Sequence, residues 1–210
     1  METDRRRQGT DRREQILDRT LELVREGGLA GLTIRRIAER VGFTEAAIYR
    51  HWPSKKALLA GLVDRLEEML LGPIRALAED TEKDPRERLE KVLAHHQRVI
   101  LETDSLPILL LAEVVATRDE ELVDRMRSVL ASYLALLEDL LGQARRRGER
   151  LEAPALPPRD AVLLLLGLPA ALAIRHRLIP QKDPGPRKRR NLTRAVVAAA
   201  IGTGGLEGRP

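Results

Sequence analysis

Apolar residues recur at every third or fourth position along most of this chain, which is the spacing of one buried face of an α-helix. Few stretches alternate polar and apolar residues as a half-buried β-strand does. The sequence is also rich in Leu, Ala, Arg and Glu and poor in aromatic residues, a composition that favours helices over sheet. The pattern predicts an all-α fold of about nine helices.

The most informative stretch runs from Leu32 to Lys56 and predicts two short helices joined by a tight turn. Gly42 ends the first helix, where an abrupt stop favours a residue that tolerates positive φ. Thr44 is a suitable N-cap for the second helix. A small residue before the glycine and a branched residue after it allow the helices to cross closely, as in a helix-turn-helix. The residues that define this pattern are Thr33, Ile34, Ile37, Ala38, Val41 and Ile48, and the second helix covers Glu45 to Trp52.

The remaining helices are indicated by the same periodicity and by Gly and Pro at their ends. Residues 1–8 are expected to form a mobile, solvated arm, with contacts of Arg5, Arg6 and Arg7 with DNA phosphates as the alternative. Gly72-Pro73 is expected to stop or kink the fourth helix. The basic run Arg187 to Arg190 is interpreted as the solvent-exposed start of the last helix, with a nucleic-acid contact as the alternative. The expected helices cover residues 11–26, 54–71, 86–102, 106–116, 119–147, 159–178 and 187–201, with a loop at 152–158 and a tail at 202–210.

Several motifs between Ile16 and Leu62 occur together in one known family: ILDxxLEL, GLxxLTIRRIA, the VGF turn and AAIYRHWPSK. This region resembles the DNA-binding domain of TetR-family transcriptional regulators. The resemblance implies a helix-turn-helix domain at residues 1–54 and a helical ligand-binding and dimerisation domain at residues 55–210. Glu45 and Ala46 stand where the family often has lysine and glycine, and the variant TEAAIYRHWPSK is similar to a subset that includes nucleoid-occlusion factors. The base preference of the average family member therefore does not transfer to this chain.

The second helix of the motif and its flanks carry the residues that we expect to contact double-stranded DNA. Ala46 and Ala47 let the helix backbone approach closely and can contact a thymine methyl group, while Glu45 can accept a hydrogen bond from cytosine N4. Arg50 can reach guanine or a phosphate, and Tyr49 either contacts a phosphate through its hydroxyl or packs. The complete set is Thr33, Arg35, Thr44, Glu45, Ala46, Ala47, Tyr49, Arg50, His51 and Lys55, of which Thr33, Arg35, Tyr49, His51 and Lys55 are placed for phosphate contacts that fix register.

Composition and individual residues also bear on whether the chain could have other functions, such as metal binding, membrane insertion or catalysis. The formal charge of +5 is compatible with a nucleic-acid partner, and the absence of cysteine excludes disulfides and thiolate metal sites. The apolar run in residues 161–174 is too short for a membrane span and contains Gly167 and Pro169, so a buried or subunit-facing helix is favoured. His95 and His96 project about 100° apart on a helix and cannot easily hold one metal ion, with His95 expected at the surface and His96 in a core or pocket. No cofactor, metal or catalytic site is predicted, an enzyme is disfavoured, and a cytoplasmic protein is expected.

By resemblance, the second domain would bind a small-molecule effector and form a homodimer that represses transcription. The two C-terminal apolar helices are expected to form a four-helix bundle across the dimer, with Leu165 and Ala171 in the packing surface. Aliphatic walls favour an acyl-type effector over planar cationic drugs, which need aromatic faces. The alternative is a DNA-binding adaptor that acts through a protein partner, as nucleoid-occlusion proteins do. The residues expected to line the effector site are Leu66, Leu93, His96, Ile100, Leu110, Val114, Tyr133 and Leu137.

Overall fold

The computed structural model of the protein describes residues 2–147, 156–182 and 184–202, apart from the side chains of residues 2–11, 25, 30 and 180. Within these ranges the chain forms nine α-helices, two 3-10 turns and no strand, which confirms the predicted all-α fold. The predicted loop is described only from residue 156, and residues 203–210 of the predicted tail lie outside the description. The helices are α1 (Glu2–Gly27), α2 (Ile34–Val41), α3 (Glu45–His51), α4 (Lys55–Glu79), α5 (Pro85–Glu102), α6 (Leu106–Thr117), α7 (Glu120–Arg147), α8 (Pro158–Leu178) and α9 (Pro186–Ile201), and the 3-10 turns are Leu29–Gly31 and Pro180–Lys182.

The chain divides into two compact units that are not continuous in sequence. The first unit comprises Met1–Leu66 and Leu106–Arg127, and the second comprises Glu67–Ser105 and Ser128–Pro210. Helices α4 and α7 therefore contribute residues to both units. The domain boundary after residue 54 that the sequence suggested stays a prediction.

The first unit is organised around α1, which contacts both α2 and α3. Its apolar face, which includes Ile16 and Val24, is almost completely buried. A bidentate ion pair also joins α1 to α2, with the two terminal nitrogens of Arg40 at 2.8 and 2.6 Å from the carboxylate oxygens of Glu26. Helix α1 begins at Glu2, so the expectation of a mobile arm over residues 1–8 and a start at Asp11 is wrong. Residues 2–10 carry no apolar stripe and no proline, so hydrophobic periodicity could neither detect nor exclude a helix there.

The second unit packs α5, α8 and α9 against one another, and each of the three contacts the other two. Its core includes Leu89, Leu93, Leu137 and Val197, all fully buried. A buried hydrogen bond of 2.8 Å from the Gln97 amide nitrogen to the Thr193 hydroxyl links α5 to α9. The second unit therefore has its own apolar core with a polar cross-link inside it.

Helix α4 continues through Pro73 to Glu79. Of the two outcomes expected at Gly72-Pro73, the stop is therefore wrong, and the kink stays a prediction. Proline has no N–H group and leaves the carbonyl four residues earlier, that of Met69, without its helical donor. His95 of α5 supplies the missing contact, with its Nε2 at 2.9 Å from the Met69 carbonyl oxygen. His95 is buried, which corrects the prediction that it lies at the surface.

Helix α8 is apolar on both its buried and its exposed faces. By length and composition alone, this helix could cross a membrane: its most apolar stretch has a mean hydropathy of 1.6, and 33% of that stretch is buried. The core helix of a soluble protein can have the same length and composition. Leu165 is fully buried in the protomer, so its predicted place in a subunit interface is wrong. Ala171 is exposed, and its predicted role in the interface stays a prediction. Four consecutive leucines, residues 163–166, give no amphipathic signal from which the orientation of this helix could have been predicted.

Candidate nucleic-acid interface

The turn between α2 and α3 has the geometry that the sequence predicts for a helix-turn-helix. Gly42 lies in the left-handed region, with φ 77° and ψ 31°, a conformation that residues with a Cβ rarely adopt. The backbone N–H groups of Gly42 and Phe43 both donate to the Ala38 carbonyl oxygen at 2.9 Å, which closes the end of α2. Thr33 caps the start of the same helix, because its hydroxyl oxygen accepts from the Arg36 N–H at 3.2 Å.

Helix α3 is held by one buried residue, and four of its other six residues are exposed. Ile48 is fully buried, whereas Tyr49 is 47% exposed. Thr44 caps the helix, with its hydroxyl oxygen accepting from the Ala47 N–H at 3.2 Å. Glu45 lies in the first turn, and Arg50 and His51 lie in the last turn. The charges of Glu45 and Arg50 oppose the partial charges of the helix ends and so stabilise a helix of only seven residues.

The structure places the predicted DNA-contacting residues on or beside this surface. Two of them, Ala47 and His51, are half-buried, and the others are exposed. The hydroxyl groups of Thr33 and Thr44 use their oxygen atoms for capping, which leaves their protons free to be donated to a phosphate. The exposed members are Thr33, Arg35, Thr44, Glu45, Ala46, Tyr49, Arg50 and Lys55. Their contacts with DNA stay predictions.

Two of the predicted phosphate contacts already have an ionic partner within the first unit. Arg35 lies 3.0 Å from Glu39, and the hydrogen bond and charge of Glu39, followed by the charge of Glu45, raise the pKa of Arg35. Lys55 lies 2.8 Å from Glu113 on α6. Exposed pairs of this kind contribute little to stability because water screens both charges, so a phosphate can displace either carboxylate at little cost.

Two arginines of α1 belong to the same electropositive region and were not singled out from the sequence. Burial, followed by the charges of Arg12, Arg13 and Arg50, lowers the pKa of His51. In the free protein the neutral form of His51 is therefore favoured at pH 7. The Arg13 guanidinium lies 4.2 Å from the ring centroid of Trp52, a cation–π contact. Spacing along the chain gives no signal for this contact, because α1 and Trp52 meet only in the folded unit.

The residues predicted to line an effector site are all buried. In the second unit, His96 and Tyr133 form a polar pair within apolar surroundings, with Nδ1 of His96 at 2.9 Å from the tyrosine hydroxyl. Burial, and to a smaller extent the neighbouring His95, lowers the pKa of His96 from 6.5 to about 4, and burial raises the pKa of Tyr133. Both side chains are therefore neutral at pH 7. The buried set divides into Leu66, Leu110 and Val114 in the first unit and Leu93, His96, Ile100, Tyr133 and Leu137 in the second.

His95 and His96 have different partners, the Met69 carbonyl oxygen and the Tyr133 hydroxyl respectively. The two rings therefore do not converge on a common point, as ligands of one metal ion must. In the portion of the chain that the structure describes, no group of three His, Asp or Glu side chains is arranged to hold a metal ion.

Comparisons with known proteins agree with this architecture. Residues 16–62 match the family described as "Bacterial regulatory proteins, tetR family". The nucleoid occlusion factor SlmA of Marinobacter nauticus is 33% identical over 143 residues, which cover 68% of this chain and 70% of that protein. A TetR transcription regulator from Haloarcula marismortui superposes with a TM-score of 0.70 at 25% identity, over 91% of this chain and 97% of its own. The regulator FadR from Bacillus subtilis in complex with stearoyl-CoA has the same fold, with a TM-score of 0.69 at 21% identity over 91% of this chain and 99% of its own.

Proposed function

Because this chain belongs to the tetR family of bacterial regulatory proteins, we propose that it is a transcriptional repressor that binds a palindromic DNA operator as a homodimer. A small aliphatic effector of the acyl type would release it from the operator. The main support for DNA binding comes from helix α3. This helix is capped at Thr44 and anchored by the buried Ile48, and its residues Glu45, Ala46 and Arg50 are exposed. A short, rigid and exposed helix of this kind suits the major groove.

Each residue of this surface has a proposed role that follows from its chemistry. Glu45 accepts from cytosine N4, and Ala46 keeps the helix backbone close to the base edges. Tyr49 and Arg35 contact phosphates, with Arg35 exchanging its pairing with Glu39 for a phosphate oxygen. Arg12 and Arg13 of α1, which act on the pKa of His51 and so lie near it, add positive charge that attracts the DNA backbone.

The proposed homodimer is supported by exposed apolar residues on α8. Leu164, Ala171 and Leu178 recur at every seventh position, and Ile174 lies between the last two, as in the seam between packed helices. All four are exposed in the protomer, and Leu178 is 74% exposed. Two copies of α8 and α9 would bury this seam as a four-helix bundle. One helix-turn-helix reads few base pairs, so two-fold symmetry also gives the selectivity that an operator requires.

The interface can be tested with one exposed alanine and a matched control. Ala171→Arg should place a charge in the seam and yield a monomer that binds half-sites weakly, whereas Ala135→Arg changes an exposed alanine of α7 and should stay dimeric. Sedimentation equilibrium at micromolar concentration measures both variants. A wild-type protein that sediments as a monomer would contradict the proposed dimer.

An acyl-type effector is supported by the aliphatic core of the second unit and by one structural neighbour. The regulator FadR of Bacillus subtilis was solved with stearoyl-CoA. In this chain, Leu93, Ile100 and Leu137 lie fully buried in an aliphatic core. An acyl chain would therefore enter only where this core opens, and each methylene buried there contributes about 0.8 kcal/mol. His96 and Tyr133 would then provide the polar contact. A series of acyl-CoAs and planar cationic dyes, each scored for release of operator DNA, distinguishes the effector classes. Release by the dyes alone would exclude the acyl proposal.

A second candidate function is favoured by the relatives named nucleoid occlusion factor, which are similar over most of their length. In that case the chain would bind many sites along the chromosome and act through a protein partner. Selection of genomic fragments by the purified protein separates the two functions. A repressor should recover a few inverted repeats beside regulated genes, and an occlusion factor should recover many dispersed copies.

The DNA fragments recovered in this selection also test sequence-specific DNA binding, which both candidate functions require. If the dimer neutralises about eight phosphates, the logarithm of its affinity should fall against the logarithm of the salt concentration with a slope of roughly −7. Footprints should cover a short inverted repeat. Uniform protection of any DNA would contradict sequence-specific binding.

A further inference from the structure

The strongest feature that DNA binding and dimerisation leave unexplained is a cleft between α5 and α9 in the second unit. It has a volume of about 720 Å³ and is open to solvent, which is within the size range of small-molecule sites. None of the eight residues predicted to line an effector site borders it. It is lined by residues between Glu87 and Glu102 of α5 and between Pro186 and Arg194 of α9.

Positive charge in this cleft exceeds the negative charge that is available to neutralise it. Two of the three carboxylates are already paired, Glu87 with Lys91 at 2.6 Å and Glu90 with Arg194 at 3.5 Å. Arg98, on the α5 wall, has no ion-pair partner among the residues that the structure describes. The same holds for Arg189 and Arg190 on the α9 wall, although Arg189 donates to the Pro184 carbonyl oxygen at 2.6 Å. Guanidinium groups therefore face the cleft from both helices.

The position of these arginines within α9 is also unfavourable without a ligand. The run Arg187 to Arg190 occupies the first turns of α9, where the partial positive charge of the helix end favours acidic residues. This turn contains no acidic residue, and no side chain caps it. An anion in the cleft would be attracted by the helix end as well as by the arginines. Binding of an anion would therefore explain why basic residues occupy this end of α9, which exposure to solvent alone does not explain.

The floor of the cleft adds contacts of a different kind. Gln97 is buried beneath it and is fixed by its 2.8 Å hydrogen bond to Thr193. Ala94, Leu101 and Pro186 provide apolar surface. Glu102 has no ion-pair partner within the described chain and can accept hydrogen bonds from hydroxyl groups, as carboxylates do with ribose. Phosphates, sugar hydroxyl groups and a planar base, whose ring faces can lie on apolar side chains, are the three parts of a nucleotide.

We propose that the cleft between α5 and α9 binds a phosphate-bearing small molecule of nucleotide size. Arg98 holds the phosphates from the α5 side, and Arg189 and Arg190 hold them from the α9 side. Two sources share this chemistry, a nucleotide and a free chain of phosphate groups. The site is separate from the DNA surface in the first unit, so its failure would leave the proposed DNA binding intact.

Calorimetric titration of the full-length protein with ATP and with inorganic tripolyphosphate, at about 0.15 M salt, tests this site. Both probes should bind saturably with one site per protomer. Arg98→Gln combined with Arg190→Gln should weaken binding by at least about tenfold, since two charge-assisted contacts are lost. Arg146→Gln combined with Lys182→Gln removes the same charge from exposed positions elsewhere in the second unit and should change the affinity less than about twofold. Operator binding and circular dichroism, unchanged in both double variants, establish that each is folded.

The two probes distinguish the source of the phosphates. Tighter binding of ATP than of tripolyphosphate assigns the site to a nucleotide, and equal affinities assign it to the phosphate chain alone. Absence of binding of both probes by the folded wild-type protein would overturn the proposal. Equal weakening by the two double variants would also overturn it, because it would show attraction to net charge rather than to this cleft.

Discussion

Gly61 of α4 lies against the indole ring of Trp52, so close that a Cβ atom at position 61 would be 2.3 Å from Cη2 of the ring. Trp52 is the single tryptophan of the chain and directly follows α3. The Arg13 guanidinium lies 4.2 Å from the centroid of the same ring. One buried ring thus joins α1, the end of α3 and α4, and Gly61 is the residue that leaves space for it.

Replacement of Gly61 by alanine should destabilise the first unit. The new methyl group must displace a buried ring, and overpacking of this kind costs about 1–3 kcal/mol. Urea unfolding followed by circular dichroism measures the loss. Gly142→Ala is the control, since its Cβ would approach only the flexible end of Arg146 and should stabilise α7 by up to about 1 kcal/mol. If Gly61→Ala proved as stable as the wild type, the close approach would be wrong.

The contact between His95 and the Met69 carbonyl compensates for Pro73, and a double-mutant cycle can measure this dependence. His95→Ala should cost about 1–3 kcal/mol in the wild-type chain, because a buried carbonyl loses its donor. In a Pro73→Ala background the backbone N–H of residue 73 can donate to Met69, so the cost of the same change should be smaller by about 1 kcal/mol. Equal costs in the two backgrounds would show that His95 does not act through this carbonyl.

The elements of this fold were predictable where the signal is local. Helices α2 and α3 were placed correctly because Thr33, Gly42 and Thr44 act on the backbone within a few residues of themselves. For the same reason, the sequence placed Ala46 and Arg50 on one short helix, where the structure finds them exposed.

The features that the sequence did not reveal depend on contacts between elements. Pro73 favours a stop because it removes a helical hydrogen bond. His95, which lies on another helix, supplies the replacement contact, and the spacing along the chain does not reveal it. Leu165 and Leu164 are equivalent as residue types, but one is buried and the other is 42% exposed, and only the packing of α8 distinguishes them. The close packing of Trp52 against Gly61 likewise cannot be predicted from the position of either residue along the chain.

His96 should make the stability of the protein depend on pH. Folding lowers the pKa of its imidazole from 6.5 to about 4 because the ring leaves water. As the pH falls below 6.5, the unfolded chain binds a proton that the folded protein does not, so the free energy of unfolding decreases until about pH 4. Between about pH 7.5 and about pH 5 the wild type should lose about 2 kcal/mol more than His96→Gln, which does not titrate.

Urea unfolding at these two pH values measures this difference. Glutamine can keep a hydrogen bond to Tyr133, and every other titrating group is common to both proteins, so the comparison isolates His96. Parallel loss of stability in the two proteins would show that His96 titrates normally in the folded state.

Glu45 should determine the base at one position of each operator half-site. It is exposed in the first turn of α3, and a carboxylate there can accept from cytosine N4 in the major groove. Glu45→Ala should reduce discrimination at that position by about 1–3 kcal/mol and leave the rest of the selected sequence unchanged. Glu39→Ala is a matched control, because Glu39 is also exposed and also interacts with Arg35 but lies on α2. Removal of Glu39 frees Arg35 for a phosphate and should strengthen binding to all sequences alike. Selection from a randomised duplex library reports both effects, and identical sequence preferences for the two variants would mean that Glu45 reads no base.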